Sequence, residues 1–254
     1  MGGRIDIYID LASLYSYIAL IQVLKTRDLL KQHSIEVEIH PVLLGAINAA
    51  TGNKPPWTLR AKAIYGAHDS RRSLSSAGLA NVSPPGDLFE AGKTQLPLRA
   101  LHYIKASYPV DVYLTAWRYL LHCFWTLHQP PNTPDVLGRA LADVPVGFAP
   151  GSGSDSSDDG KGKKLFTTAD VAAIVRAAGD PQYKDALRRT TEEALGRGAF
   201  GAPWLWATNG ETGRSEPFFG SDRWHHVYEF LGLPYRDVEL LSPGEEERGR
   251  VSKL

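Results

Sequence analysis

The sequence predicts an α/β fold in which a β-α-β unit and a closing hairpin enclose a long all-helical insertion. Three observations carry this expectation. Ile5, Ile7 and Ile9 alternate with Asp6, Tyr8 and Asp10, and Ile35 to His40 alternates again; a period of two is that of a strand. From Gly45 onward the apolar spacing turns helical and stays so for most of the next hundred or so residues, with no strand-like run. Near the C-terminal end, the apolar runs Trp204 to Ala207 and Pro217 to Phe219 flank an Asn-Gly turn, which reads as a hairpin. Residues 1–44 and 196–234 are accordingly expected to form one discontinuous domain. Residues 45–195 form the helical insertion, with a flexible loop at 145–164, and 235–254 form a flexible tail.

The elements follow in order. After Asp10 the alternation stops, and Tyr15, Ile18, Ala19, Ile21, Gln22 and Leu24 take up helical spacing. The junction Ser13-Leu14-Tyr15-Ser16 therefore lies at a helix N-terminus. Backbone N–H groups are unpaired there and the macrodipole is positive, so an anion is stabilised. A serine hydroxyl at that point serves either as an N-cap or as a donor to such an anion. Strand, helix and strand give a right-handed unit with parallel strands.

Within the insertion, Asn53-Lys54-Pro55-Pro56 forces an extended or turn geometry, and Lys62, Tyr65 and Asp69 follow it. Val82 to Gly86 is a loop. Leu98 to Tyr108 and Val112 to His128 are expected as two helices split at Pro109. His102, His122 and His128 lack the paired spacing of metal ligands, so no metal site is expected. Cys123 sits among Leu120, Leu121, Phe124 and Trp125, which suits a buried inert thiol. Pro145 to Lys164 is rich in Gly, Ser, Asp and Lys and cannot bury enough apolar area to offset its ordering entropy. Two more helices, Thr168 to Ala178 and Pro181 to Leu195, lead to Gly196 to Pro203 and the hairpin. Phe219-Gly220-Ser221-Asp222-Arg223 opens a last helix, Trp224 to Leu231, with Ser221 and Asp222 as ordinary cap residues.

Composition narrows the function classes. Lysines plus arginines number 28, as do aspartates plus glutamates, so no long-range field favours a polyanion and nucleic acid is not an expected partner. The single cysteine excludes an internal disulfide and a two-cysteine redox centre, and a reducing compartment fits. No secretory signal pattern precedes Ile5. The most apolar stretch, Val110 to Leu127, carries Asp111, Arg118 and His122 and reads as a core helix; no membrane partner is expected.

Four stretches in this order, Asp10-Leu-Ala-Ser-Leu-Tyr-Ser16, Asn53-Lys-Pro-Pro56 with Lys62, Tyr65 and Asp69, Gly198-Ala-Phe-Gly-Ala-Pro203 and Phe219-Gly-Ser-Asp-Arg223, resemble the motifs of kappa-class glutathione transferases. The bacterial 2-hydroxychromene-2-carboxylate isomerases share them in looser form. Both are similar to thioredoxin-fold disulfide oxidoreductases whose C-x-x-C has been replaced, here by Ser13-x-x-Ser16. Leu14 stands where the family usually has Pro, and Ala202 replaces a larger aliphatic residue. The resemblance implies a thioredoxin-like fold with the helical domain inserted after the first β-α-β unit, glutathione as co-substrate, and a homodimer. It also implies roles: Ser13 as the catalytic residue with Leu14 and Tyr15 beside it, Asn53 on glutathione, and Lys62 near a carboxylate of the tripeptide. The main chain of Ala202, oriented by a cis Pro203, would hold the cysteinyl part, and Ser221 and Asp222 would receive the γ-glutamyl end.

A thioredoxin-like protein without a cysteine pair can still stabilise a thiolate that arrives with a ligand. Lowering a thiol pKa from about 8.5 by about two units takes roughly 2.7 kcal/mol. A charge-assisted hydrogen bond of about 1.5–3 kcal/mol and a helix-terminus contribution of about 0.3–2 kcal/mol supply that. Ser13 is thus cast as a thiolate donor, for conjugation to, or reduction of, small hydrophobic electrophiles. A glutathione-dependent cis-trans isomerase and a non-catalytic thioredoxin-like binding protein are the alternatives. Ser252-Lys253-Leu254 ends the sequence as a peroxisomal address read by an import receptor, with cytoplasm or mitochondrion as the alternatives.

Overall fold

The computed structural model describes residues 2–150 and 163–236. The chain opens with β1 (Gly3–Ile9), α1 (Leu14–Gln32) and β2 (Ile35–Pro41). The two strands are parallel and paired from Gly3 with Ile35 to Ile9 with Pro41. Eight α-helices follow: α2 (Leu44–Thr51), α3 (Arg60–Ala77), α4 (Leu88–Ala91), α5 (Gln95–Ser107), α6 (Val110–Trp125), α7 (Pro134–Asp143), α8 (Thr168–Ala178) and α9 (Pro181–Gly196). The chain then returns through β3 (Trp204–Asn209) and β4 (Ser215–Phe219) to α10 (Trp224–Phe230). The sheet order is β2-β1-β3-β4, with β3 antiparallel to both β1 and β4.

The helix ends follow from local chemistry. Thr167 and Asp170 close a reciprocal capping box at the start of α8. Asp180 followed by Pro181 opens α9, and Thr133 followed by Pro134 opens α7. The helix expected to run to His128 stops at Trp125, because Leu127 and Thr126 both turn their N–H groups back onto the carbonyl of His122. At the hairpin, Asn209 Oδ1 accepts from the N–H groups of Glu211 and Thr212, so the loop spans more than the two residues of a tight turn. Of the stretch 145–164, the ends are paired: Pro145 bridges Lys164, and the Val146 N–H reaches the Lys163 carbonyl. Residues 151–162 and the tail from 237, with Ser252-Lys253-Leu254, lie outside the described residues.

One face of the sheet, Ile5, Ile7 and Ile9, packs on Tyr17, Ile18 and Leu20 of α1 and on Trp117, Leu121 and Phe124 of α6 in one continuous cluster. Sheet and insertion therefore share a core. The other face departs from the alternation, which predicts one buried side for β1. Asp6 and Tyr8 are buried as well, because α9 and its C-terminal turn cover them. Burial is tolerated because every charge is partnered. Asp6 accepts from His40 at 2.8 Å, Arg4 at 2.9 Å and Arg197 at 3.0 Å. Glu38 pairs with Lys105 at 2.6 Å and with Arg4, and Tyr8 donates to Glu193 at 2.9 Å while stacking on His40. Burial alone would raise the Asp6 carboxyl, but His40, Arg4 and Arg197 outweigh it and hold it well below the usual carboxylate range.

Replacing Asp6 by Asn leaves Arg4 and Arg197 facing a neutral group in a largely closed site. Since both arginines keep partial solvent access, the expected cost lies toward the lower end of the about 3–5 kcal/mol for breaking a buried pair. Urea unfolding of D6N against wild type measures it. The folded Asp6 value is depressed, so the stability it contributes is present above the unfolded value near pH 4 and is lost as pH falls below it.

Candidate functional site

The site is built at the N-terminus of α1. Ser13 keeps extended backbone angles (φ −105°, ψ 116°) and caps the helix: its Oγ accepts the Ser16 N–H at 3.1 Å, and its carbonyl accepts from Tyr17. Among the described residues, the N–H groups of Leu14 and Tyr15 have no acceptor. A hydroxyl has one proton, and that of Ser13 goes to the carbonyl oxygen of Ala202 at 2.9 Å. Ala202 precedes Pro203, and the peptide bond between them is cis. Two stretches 189 residues apart in sequence thus meet at one hydroxyl.

The turn beneath Ser13 is fixed by Asp10, which is fully buried. Its Oδ1 accepts the Ala12 N–H at 3.0 Å and the Thr94 hydroxyl at 2.7 Å; its Oδ2 accepts the Leu44 N–H at 2.7 Å. Leu44 is the first residue of α2, whose own N-cap, Leu43, has no polar side chain. The carboxylate of Asp10 caps that helix from outside. Burial pushes the Asp10 carboxyl up to about 6, against the pull of its donors toward the charged form. The indole of Trp125, at the end of α6, donates to the carbonyl of Leu11 at 2.8 Å. The helical insertion thus clamps the strand–helix turn at two points.

Around this junction the structure gathers most of the residues singled out in the sequence. Asn53 Nδ2 donates to the Phe200 carbonyl at 2.7 Å, which ties the Asn-Lys-Pro-Pro loop to the segment before Pro203. Gly201 has no room for a side chain, since a Cβ there would lie 2.9 Å from the Phe219 ring. The Tyr15 hydroxyl donates to Asp69, which also accepts from Tyr65 at 3.2 Å. Burial and Asp69 raise the Tyr15 phenol above its ordinary value, so what Tyr15 presents at the junction is its backbone N–H. Lys62 lies on the exposed part of α3 with no partner among the described residues, and no contact joins it to Ser13.

Ser221 and Asp222 do not cap the last helix as expected. The N-cap of α10 is Arg223, with no side-chain cap bond, because the turn at Gly220 (φ +102°) sets both residues ahead of the helix. Ser221 is buried and Asp222 is exposed, and both line a cleft of about 210 Å³ between α1 and α3.

Other clusters are occupied by their own partners. Asp6, Glu38 and His40 bring ligand atoms within 4.8 Å of one another, but Arg4, Lys105 and Arg197 neutralise them. His102 is buried between Thr190 and the Pro41 carbonyl, and burial lowers its pKa to about 4. The Cys123 thiol is buried and pushed up to about 12, which makes it inert. Asp10, Thr94 and Trp125 are the functional supports that local pattern does not single out. Asp10 is visible only as the first residue of its motif, and the other two carry no signal.

No family model matches the chain. It is similar to glutathione S-transferase kappa 1 of Caenorhabditis elegans, at 26% identity over 245 residues covering 91% of this chain and 92% of the relative. Glutathione S-transferase kappa 1 of Homo sapiens is 24% identical over 231 residues, covering 90% of each chain. Among solved structures, 2-hydroxychromene-2-carboxylate isomerase superposes with a TM-score of 0.64 at 16% identity, over 90% of this chain and 94% of its own. A probable DsbA oxidoreductase from Streptomyces coelicolor gives 0.56 at 15% identity, over 95% and 94%. The fold is α/β and thioredoxin-like, and the resemblance carried by the four motifs extends along nine tenths of the chain.

Replacing Asp10 by Asn places an NH2 group against one of three fixed donors. The expected loss is about 1–3 kcal/mol, the cost of unsatisfied buried groups. Because the folded Asp10 value is raised, its proton-linked stability is fully present below the unfolded value and is lost as pH rises through about 6. Urea unfolding at pH 4.5 and pH 7 should therefore show a larger difference between wild type and D10N at the lower pH.

Proposed function

We propose that the chain is a kappa-type glutathione transferase that binds glutathione with its sulfur at the N-terminus of α1. The observation that carries this reading is the pair of unpartnered N–H groups at Leu14 and Tyr15 beside a hydroxyl already aimed across the site. Ser13 is the thiolate donor. Its oxygen is held by the Ser16 N–H through a lone pair, so the hydroxyl proton rotates from Ala202 to the sulfur without moving the oxygen. The Ala202 carbonyl freed by that rotation takes the amide N–H of the cysteinyl residue. One internal hydrogen bond is thus exchanged for two to the substrate. Asn53 holds the segment that presents Ala202, and Ser221 and Asp222 receive the γ-glutamyl end.

The thiolate then adds to a small hydrophobic electrophile. Trp57 and Phe89, exposed rings 6.4 Å apart, support an apolar co-substrate on the α4 side. In this reading the chain is a homodimer, with Leu59 and Ile64, both more than half exposed, under the second copy. Sedimentation is expected to give twice the chain mass. The isomerase reading keeps the same thiolate and differs in the acceptor, which adds, rotates and departs.

Ser13→Ala should raise the pKa of bound glutathione by about one unit or more, equivalent to about 1.36 kcal/mol per unit, and lower turnover. Ser13→Thr, which keeps a hydroxyl and a cap, should restore part of both. Thiolate ultraviolet absorbance against pH reads the effect; an unchanged curve in S13A sinks the assignment. Aryl halides, hydroperoxides and hydroxychromene acids offered to wild type separate transferase, peroxidase and isomerase.

A further inference from the structure

Ser221 and Asp222 lie ahead of the last helix and not at its N-terminus. That helix has seven residues, and its first turn begins after Arg223, beyond Ser221 and Asp222. Yet both residues line a cleft together with Arg72, Ser73 and Ser76 of α3 and Ile18 and Gln22 of α1. At about 210 Å³ the cleft lies below the roughly 300–1,000 Å³ of pockets that enclose drug-sized molecules, which suits a single amino-acid head group.

Arg72 is exposed, and among the described residues it has no ion-pair or hydrogen-bond partner. The neighbouring cation, Arg223, is already turned to Asp222 at 3.6 Å. The same cleft is lined by Ser221, a buried residue whose hydroxyl has no hydrogen-bond partner among the described residues, and by Asp222. A cleft lined by a guanidinium, a carboxylate and three hydroxyls is complementary to a zwitterion: the guanidinium takes a carboxylate and the carboxylate takes an ammonium.

Resting on the proposed function, we infer that Arg72 of α3 binds the α-carboxylate of the γ-glutamyl residue, with Ser221 as second donor and Asp222 on the ammonium. Selectivity for the γ-glutamyl head is thereby set by α3, and not by a helix dipole.

The test compares glutathione with its analogue in which the γ-glutamyl α-carboxylate is converted to the amide, by isothermal titration of wild type, Arg72→Leu and Arg72→Lys. Wild type should prefer glutathione by about tenfold or more, the scale of one charge-assisted bond. R72L should lose that preference, and R72K should retain part of it. Because Arg72 is exposed and makes no hydrogen bond or ion pair among the described residues, the fold should survive, and far-ultraviolet circular dichroism checks this. Glutathione binding that R72L leaves as strong as in wild type, or an R72L that still discriminates against the amide, overturns the assignment alone. Absence of any glutathione binding by wild type overturns the proposed function, and this assignment with it.

Discussion

The structure depends on one buried carboxylate. Asp10 sits at the end of β1, out of contact with water, and accepts from three segments: its own turn, the start of α2 and the residue before α5. Removing a carboxylate from solvent costs several kcal/mol unless its lone pairs are satisfied. That cost is offset only while all three donors stay in place, so the group fixes their relative positions. The strand–helix turn, the first helix of the insertion and the entry to α5 are registered by a single side chain. With the Trp125 indole on Leu11, the insertion becomes the mould of the turn that carries Ser13.

A rigid turn matters because Ser13 has only one proton to give. Cap and donor look like competing roles in sequence, but they use different parts of the same atom. A lone pair serves the Ser16 N–H, and the proton serves whatever lies across the site. The cap holds the oxygen still, which makes its proton a preorganised donor and avoids reorganisation when a charge arrives. Leu14 in place of Pro removes nothing from this arrangement and adds a backbone N–H at the first helical position, which proline lacks.

Much of the fold was legible because its elements carry local signals. Thr168–Ala178 is bounded by a Thr167 cap and Gly179, and β2 and β3 by alternation and an Asn turn. The second face of β1 was not legible. Alternating Asp6 and Tyr8 read as solvent-facing, and no local pattern reveals that α9 returns with Arg197 and Glu193 to cover them. The site divides the same way. Ser13, Asn53 and Ala202 stand in motifs and converge, whereas Thr94 and Trp125 act through hydrogen bonds made across the fold. Ser221 and Asp222 were found as residues but misread as caps, because a positive-φ glycine before them displaces the helix start.

The two ends of the site are held by different kinds of chemistry, and this decides where the chain is free to vary. At the α1 end the groups on offer are the N–H groups of Leu14 and Tyr15, the carbonyl of Ala202 and one hydroxyl. Backbone groups survive most substitutions, so the small side chain of Ala202 costs no acceptor, and Leu14 offers an N–H that a proline there would lack. At the far end the cleft between α1 and α3 is lined by side chains, Arg72 and Asp222 among them, and any replacement there changes the charge presented. Asp69, bracketed by Tyr15 and Tyr65, holds α3 against α1 and so sets the width of that cleft. On the proposed function, stabilising the thiolate falls to the backbone of the thioredoxin-like core, and recognising the substrate's charged end falls to a helix of the insertion.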